Sequence, residues 1–215
     1  MSLINKTIAF VKNELSYSEG GHDWWHCYRV WKMAQRLAEN EQADLNVVEL
    51  AALLHDIADS KFNNGDETIG PQKADDFMKT LNIPKPTRMQ VVDIIRHISF
   101  KTKTNASKMS IEFKIVQDAD RLDAIGAIGI ARAFNYGGYK NRSIYNPDIK
   151  PNLNMTKEEY KKNEAPTLNH FYEKLLLLKD LMNTPKAKQI AEERHRFLET
   201  FLKQFYREWQ TEDFE

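Results

Sequence analysis

The chain is 215 residues long, and its 31 Lys and Arg are matched by 31 Asp and Glu, giving a formal net charge of zero. That balance excludes capture of a long nucleic acid or an anionic membrane by a general cationic field, so any phosphate must be met by a local site. With 41% hydrophobic and 29% charged residues, the composition also excludes a disordered chain, and the length allows a buried core without disulfides.

Apolar residues recur at helical spacing along most of the chain, and only 8 Gly and 7 Pro leave little turn chemistry for many short strands. The expected fold class is therefore all-α, a helical bundle in a single domain over residues 1–215. Residues 24–38 predict a helix with Val30, Ala34, Leu37 and Ala38 on one side and Lys32, Arg36 and Glu39 on the other. Residues 47–58 are almost wholly apolar, the mark of a helix buried around most of its circumference. A more polar helix follows over 67–81, and another over 87–100 turns Met89, Val92 and Ile95 inward. Residues 111–134 form one long periodic run through Ile115, Val116, Ala119, Leu122 and Ile125.

The pattern fails over about 135–155, where Gly137, Gly138, Pro147 and Pro151 predict a long irregular loop, either a lid or an insertion. Two helices then close the chain, at 158–182 with a break or kink at Pro166, and at 185–209 behind Asn183-Thr184-Pro185. The domain thus divides into a core of about 20–135 and a C-terminal helical part of about 156–210. No window approaches the ~18 consecutive apolar residues of a membrane span, and the first residues carry no signal-like cleavage region. The expected location is cytoplasmic, with no membrane partner. Zero net charge leaves a homodimer open. The single cysteine, Cys27, can form no internal disulfide, brings no thiolate cluster for zinc, and reads as packing.

Chemistry concentrates at Leu53-Leu54-His55-Asp56-Ile57, where a His and an Asp stand side by side in an apolar run. A carboxylate buried there must be compensated, either by a divalent ion or by local pairing, with the His satisfied by a backbone carbonyl. Adjacent helical residues diverge by about 100°, so both side chains can reach an ion between them. His26 lies on the inward stripe with Val30, Met33 and Leu37. Asp120 shares a helix face with Asp123, three residues on. Two His and two Asp from three helices would make a mixed nitrogen and oxygen site suited to Mn2+, Fe2+, Co2+, Ni2+ or Mg2+.

His26, the His55-Asp56 doublet and Asp120 resemble, in order and spacing, the H…HD…D pattern of the HD-domain metal-dependent phosphohydrolase superfamily. The blocks Gly21-His22-Asp23-Trp24-Trp25-His26, Leu54-His55-Asp56-Ile57-Ala58-Asp59-Ser60-Lys61-Phe62 and Asp118-Ala119-Asp120-Arg121-Leu122-Asp123-Ala124-Ile125-Gly126 are similar to its bacterial YedJ-like and YpgQ-like subfamily. His97-Ile98-Ser99-Phe100-Lys101 and Asn169-His170-Phe171-Tyr172-Glu173-Lys174-Leu175 extend the likeness over nearly the whole chain. The resemblance implies a helical bundle holding one divalent ion, Mn2+ favoured, through His26, His55, Asp56 and Asp120. It implies hydrolysis of a small phosphate-containing substrate, a nucleotide above all, with nucleoside triphosphate pyrophosphohydrolysis favoured.

Asp59 follows Asp56 by three residues, at a position where several HD enzymes carry an acidic proton-transfer partner; an exposed carboxylate is the plainer alternative. Dinuclear HD proteins use two further His between the doublet and the last Asp. Of the 6 His here, only His97 falls in that interval, so one ion is expected. His97 then reads as a phosphate or water contact, or as a satisfied core residue. Positive charge for phosphate is expected from Lys61, Lys101 and Arg132, against solvated lysines and a surface ion pair as alternatives. Arg121 reads as structural, Trp24-Trp25 as an anchor of the bundle, and Tyr136, Tyr139 and Tyr145 as loop anchors or base-stacking rings. Two rival functions remain: a metal-stabilised regulatory or ligand-sensing module with little catalysis, and an HD oxygenase, which needs a second metal.

Overall fold

The computed structural model describes residues 2–16, 21–58, 66–99, 109–156, 159–160 and 163–212; Asp59, Lys61 and Lys101 lie outside them. Every regular element among the described residues is helical, as the sparse Gly and Pro predict. None of these helices is long and apolar enough to cross a membrane. The chain divides into two compact units, Met1–Asp120 and Arg121–Glu215.

The first unit opens with α1 (Leu3–Glu14), whose start is capped by Ser2 Oγ accepting from the Asn5 N–H at 3.2 Å. The spacing argument gave no helix here, because only Thr7 and Val11 are buried and the stripe is too short to stand out. Helix α2 (Trp24–Ala38) buries His26, Cys27, Val30, Ala34 and Leu37, the expected inner side. Trp25 departs from expectation: it is 60% exposed and so does not anchor the bundle. Helix α3 (Leu45–Leu54) is capped by Asp44 and buries Val47, Val48 and every residue from Leu50 to Leu54. It packs against α1, α2 and α5 (Lys85–His97), which makes it the centre of this unit. It also ends four residues before the expected boundary, so His55 to Ala58 form a turn instead of a last helical turn.

Helix α4 (Ile69–Thr80) packs on α5. Helix α5 buries Val91, Val92, Ile94 and Ile95 but leaves Met89 61% exposed; its core stripe is rotated away from the position expected for Met89. Helix α6 (Ile111–Asp123) starts at Ser110, whose Oγ accepts from the Phe113 N–H at 3.2 Å. Its buried Glu112 accepts from the Asp44 N–H and from Gln90 Nε2, both at 3.0 Å. One carboxylate thereby ties the start of α3 to α5 and α6.

In the second unit the expected 111–134 run proves to be two helices, because α7 (Gly126–Tyr139) begins after a corner at Ala124-Ile125. Apolar periodicity runs straight through this corner, so spacing alone could not reveal it. Glycine could. Gly126 has φ +75°, and a Cβ on Gly129 would stand 2.2 Å from the Ala124 carbonyl oxygen, a backbone atom that cannot give way. Gly129→Ala is therefore expected to lower stability by about 1–3 kcal/mol, read as a fall in the urea midpoint. An unchanged midpoint would remove this contact as a constraint on the corner.

Helix α7 runs to Tyr139, so the irregular stretch begins at residue 140 instead of 135, and it runs through the described residues to 156. Of the helix expected over 158–182, residues 159–160 are helical, 163–168 are not, and a short α8 (Asn169–Glu173) and a 3-10 segment (Leu175–Leu181) follow. Pro166 has no N–H to continue a helix, and the next two N–H groups, of Thr167 and Leu168, donate to Ser143 and Ile144 carbonyls at 2.9 and 3.0 Å. Buried Glu173 accepts from the Asn152 N–H at 3.1 Å and from Asn163 Nδ2 at 2.9 Å, tying the irregular segment to α8. Tyr145 anchors, with its ring edge-on to Trp209 at 4.9 Å. Helix α9 (Pro185–Trp209) has the bounds expected from its Thr184-Pro185 start.

Candidate metal centre

Three elements of the first unit bring the ligand candidates together. Asp23 caps α2 by accepting from the His26 N–H at 2.9 Å, which fixes the first turn and aims His26 inward, 1% exposed. His55 is the C-cap residue of α3, and its Nδ1 lies 2.8 Å from the Ala52 carbonyl. A carbonyl can only accept, so Nδ1 carries the proton and Nε2 presents its lone pair to the site. Helix α6 delivers Asp120 from its last turn. The local pairing of His55 with a carbonyl is thus real, and it serves to orient the other nitrogen.

The donor atoms converge on one place. His26 Nε2 lies 3.1 Å from His55 Nε2, 3.6 Å from Asp56 Oδ2 and 3.5 Å from Asp120 Oδ1, while His55 Nε2 is 3.8 Å from Asp120 Oδ1. Electron-pair donors this close repel unless a cation or a shared ring proton sits among them. Ligands bound at about 2.1–2.2 Å stand roughly 3.0–3.5 Å apart in octahedral or tetrahedral arrangements, so the spacings suit a single divalent ion. The donors are imidazole and carboxylate with no thiolate, a set that suits Mn2+, Fe2+, Co2+, Ni2+ or Mg2+ better than structural zinc. Two overlapping groups of candidate ligands, His22 with His26 and Asp56, and His26 with His55 and Asp120, share His26. One shared nitrogen makes them parts of one centre.

Exposure is graded across the cluster. The side chains of His26 and His55 are 1% and 4% exposed, Asp56 is 12%, and Asp120 is 32%. Burial alone would push the Asp56 carboxyl up, but the imidazoles of His22, by charge and by hydrogen bond, and of His55 and His26 together outweigh it. Asp56 is held well below the usual carboxylate range and is ionised at neutral pH.

The remaining candidates fall in different places. His97, at the end of α5, has Nδ1 3.1 Å from Asp93 Oδ1 and 2.9 Å from the Asp93 carbonyl, and it is half-exposed, so it is no core histidine. Arg132 lies on α7, one helix beyond the element expected to carry it, with its guanidinium 3.1 Å from buried Asp123 Oδ2. Arg121 donates to the Leu181 carbonyl. Sequence reasoning missed His22, whose Nδ1 is 2.7 Å from Asp56 Oδ2. The available signal was its place four residues before His26, across the capping Asp23.

Comparison with known proteins follows this geometry. The HD domain family model matches residues 24–125, a span holding His26, His55, Asp56 and Asp120. The Bacillus subtilis protein YpgQ is 39% identical over 198 residues, 91% of this chain and 88% of its own. A crystal structure of YpgQ in complex with ADP, 37% identical, superposes with a TM-score of 0.74 over 95% of this chain and 94% of that one. The structure of a Bacillus thuringiensis HD-superfamily hydrolase, 49% identical, gives a TM-score of 0.73 over 96% of each chain. With the His and Asp cluster, the helical architecture and these relatives in agreement, the chain belongs to the HD-domain superfamily of metal-dependent phosphohydrolases.

Proposed function

We propose that the protein hydrolyses a phosphoester or phosphoanhydride of a nucleotide, most readily releasing pyrophosphate from a nucleoside triphosphate, with Mn2+ as its ion. The observation that carries the nucleotide part is the ADP complex of YpgQ, a protein 37% identical to this one. The metal part rests on the four donors His26, His55, Asp56 and Asp120. A divalent ion bound there supplies a water of lowered pKa and a Lewis acid for a phosphoryl oxygen.

The side chains set the rest. His26 and His55 form the buried floor, and the more exposed Asp120 marks the open edge past which water and phosphate arrive. The Ala52 carbonyl keeps His55 Nε2 facing inward. Two carboxylates cancel the charge of a divalent ion, so the centre itself attracts a phosphate chain only weakly. Further cations must meet the phosphates, and Lys61, Lys101 and Arg132 are proposed for this, Arg132 in competition with its bond to Asp123. Asp59 is proposed to take the proton of the attacking water. His97 is proposed to contact water or phosphate through Nε2, since Nδ1 is held by Asp93.

The test is to strip the purified protein with chelator, restore Mn2+, Co2+, Ni2+ or Mg2+ separately, and assay a nucleotide panel for phosphate and pyrophosphate. Pyrophosphate from a triphosphate with Mn2+ is the expected result. Phosphate alone would reassign the protein as a nucleotidase. No turnover with any metal, with wild type equal to His55→Ala, would overturn the enzymatic reading.

A further inference from the structure

The two residues of the doublet are steadied in different ways. His55 is fixed from within its own chain segment, by the Ala52 carbonyl. Asp56 lies in the turn beyond the end of α3, where no helical backbone fixes its direction, and its partner comes from 34 residues earlier in the chain. We propose that His22 is a positioning residue of the metal centre: its Nδ1–H holds Oδ2 of Asp56 and so sets the direction in which that carboxylate meets a divalent ion.

Three observations support the assignment. The 2.7 Å separation of His22 Nδ1 and Asp56 Oδ2 is that of an N–H donating to a carboxylate. It is shorter than the roughly 3.0 Å between neighbouring donors bound at about 2.1–2.2 Å to one octahedral ion. A direct ligand role for His22 would therefore require Asp56 and His22 to move apart. Second, the His22 ring is itself held, edge-on to His26 with centroids 5.7 Å apart at 71°, and its side chain is only 17% exposed. Third, the capping bond from the His26 N–H to Asp23 fixes the backbone that joins the two histidines. One short segment, residues 22–26, thus supplies a ligand and orients the carboxylate of another. Outer partners of metal ligands raise affinity by removing the freedom of the ligand to turn away.

The proposal rests on the metal centre described above, and its test separates the two. Wild type, His22→Ala and His22→Asn are stripped with chelator, and Mn2+ binding is titrated for each by the electron paramagnetic resonance signal of the free ion. An Asn amide nitrogen stands where the imidazole Nδ1 stands and can donate the same bond, but it is a poor metal ligand. His22→Ala is expected to weaken Mn2+ binding about 10–100-fold, and His22→Asn to recover most of that loss. Equal binding by wild type and His22→Ala overturns the proposal and leaves the metal centre standing. So does His22→Asn binding as weakly as His22→Ala, which is the pattern of a direct imidazole ligand. No Mn2+ binding by any of the three, wild type included, overturns the metal centre and the proposal together.

Discussion

His55→Ala and Asp56→Ala are each expected to lower kcat/KM by about a thousandfold or more, some 4 kcal/mol of transition-state stabilisation. His55 brings one of two imidazole nitrogens that face each other at 3.1 Å, and it sits 3.8 Å from Asp120. Its removal leaves His26, Asp56 and Asp120 as an incomplete set and opens a gap in the buried floor of the site. Asp56 contributes charge that the protein holds in place against burial, through the imidazoles of His22, His55 and His26. Removing it takes one of two negative charges from the ion and strands the His22 N–H. Steady-state kinetics on the metal-restored proteins check both variants. Activity that returns at millimolar Mn2+ locates the loss in affinity, and activity that stays low locates it in the chemical step. His195→Ala, which removes an imidazole 3.3 Å from Glu199 on α9 and touches none of the proposed donors, is expected to leave the rate unchanged. Either site variant within tenfold of wild type would remove that residue from the proposed ligand set.

Why could the clustered candidate ligands be picked out in the sequence when parts of the fold could not? His26, His55, Asp56 and Asp120 are polar residues in apolar stripes, and that contradiction is visible without coordinates. Helix α2 was legible from its stripe of Val30, Ala34 and Leu37, and α9 from its Thr184-Pro185 start. The corner at residues 124–125 was not, since α6 and α7 both continue the apolar period and only the tight fit of Gly129 against Ala124 betrays a break. The 158–182 stretch failed for a related reason: its leucines have helical spacing, but Pro166 and the bonds of Thr167 and Leu168 to residues 143–144 override local preference. Arg132 followed the same error onto the wrong helix. His22 shows a different limit. It precedes the helix that positions it, and its partner is 34 residues away, so no stripe points to it.

The second large effect concerns stability. Asp56 and Asp120 lie 30 and 94 residues beyond His26 in the chain, so the donors meet only when α2, the turn after α3 and α6 are packed. The unfolded chain offers no comparable site, and any ion bound to the folded form stabilises it by mass action. At a free Mn2+ concentration of a hundred times Kd the gain is about 2.7 kcal/mol, a rise of roughly 5–10 °C in Tm for a chain of this size. All the donors belong to the unit Met1–Asp120. If the two units melt in separate steps, the gain therefore belongs to the transition of the first, and that of Arg121–Glu215 stays where it was. Differential scanning calorimetry with Mn2+ and with excess chelator measures this directly. His55→Ala is expected to melt at the same temperature in both, because the gain depends on the complete set of donors and not on a general effect of the salt. A wild-type Tm unmoved by Mn2+ would mean that the convergence of these four side chains is held by protons and hydrogen bonds alone, and the phosphohydrolase chemistry would then need another source of activated water.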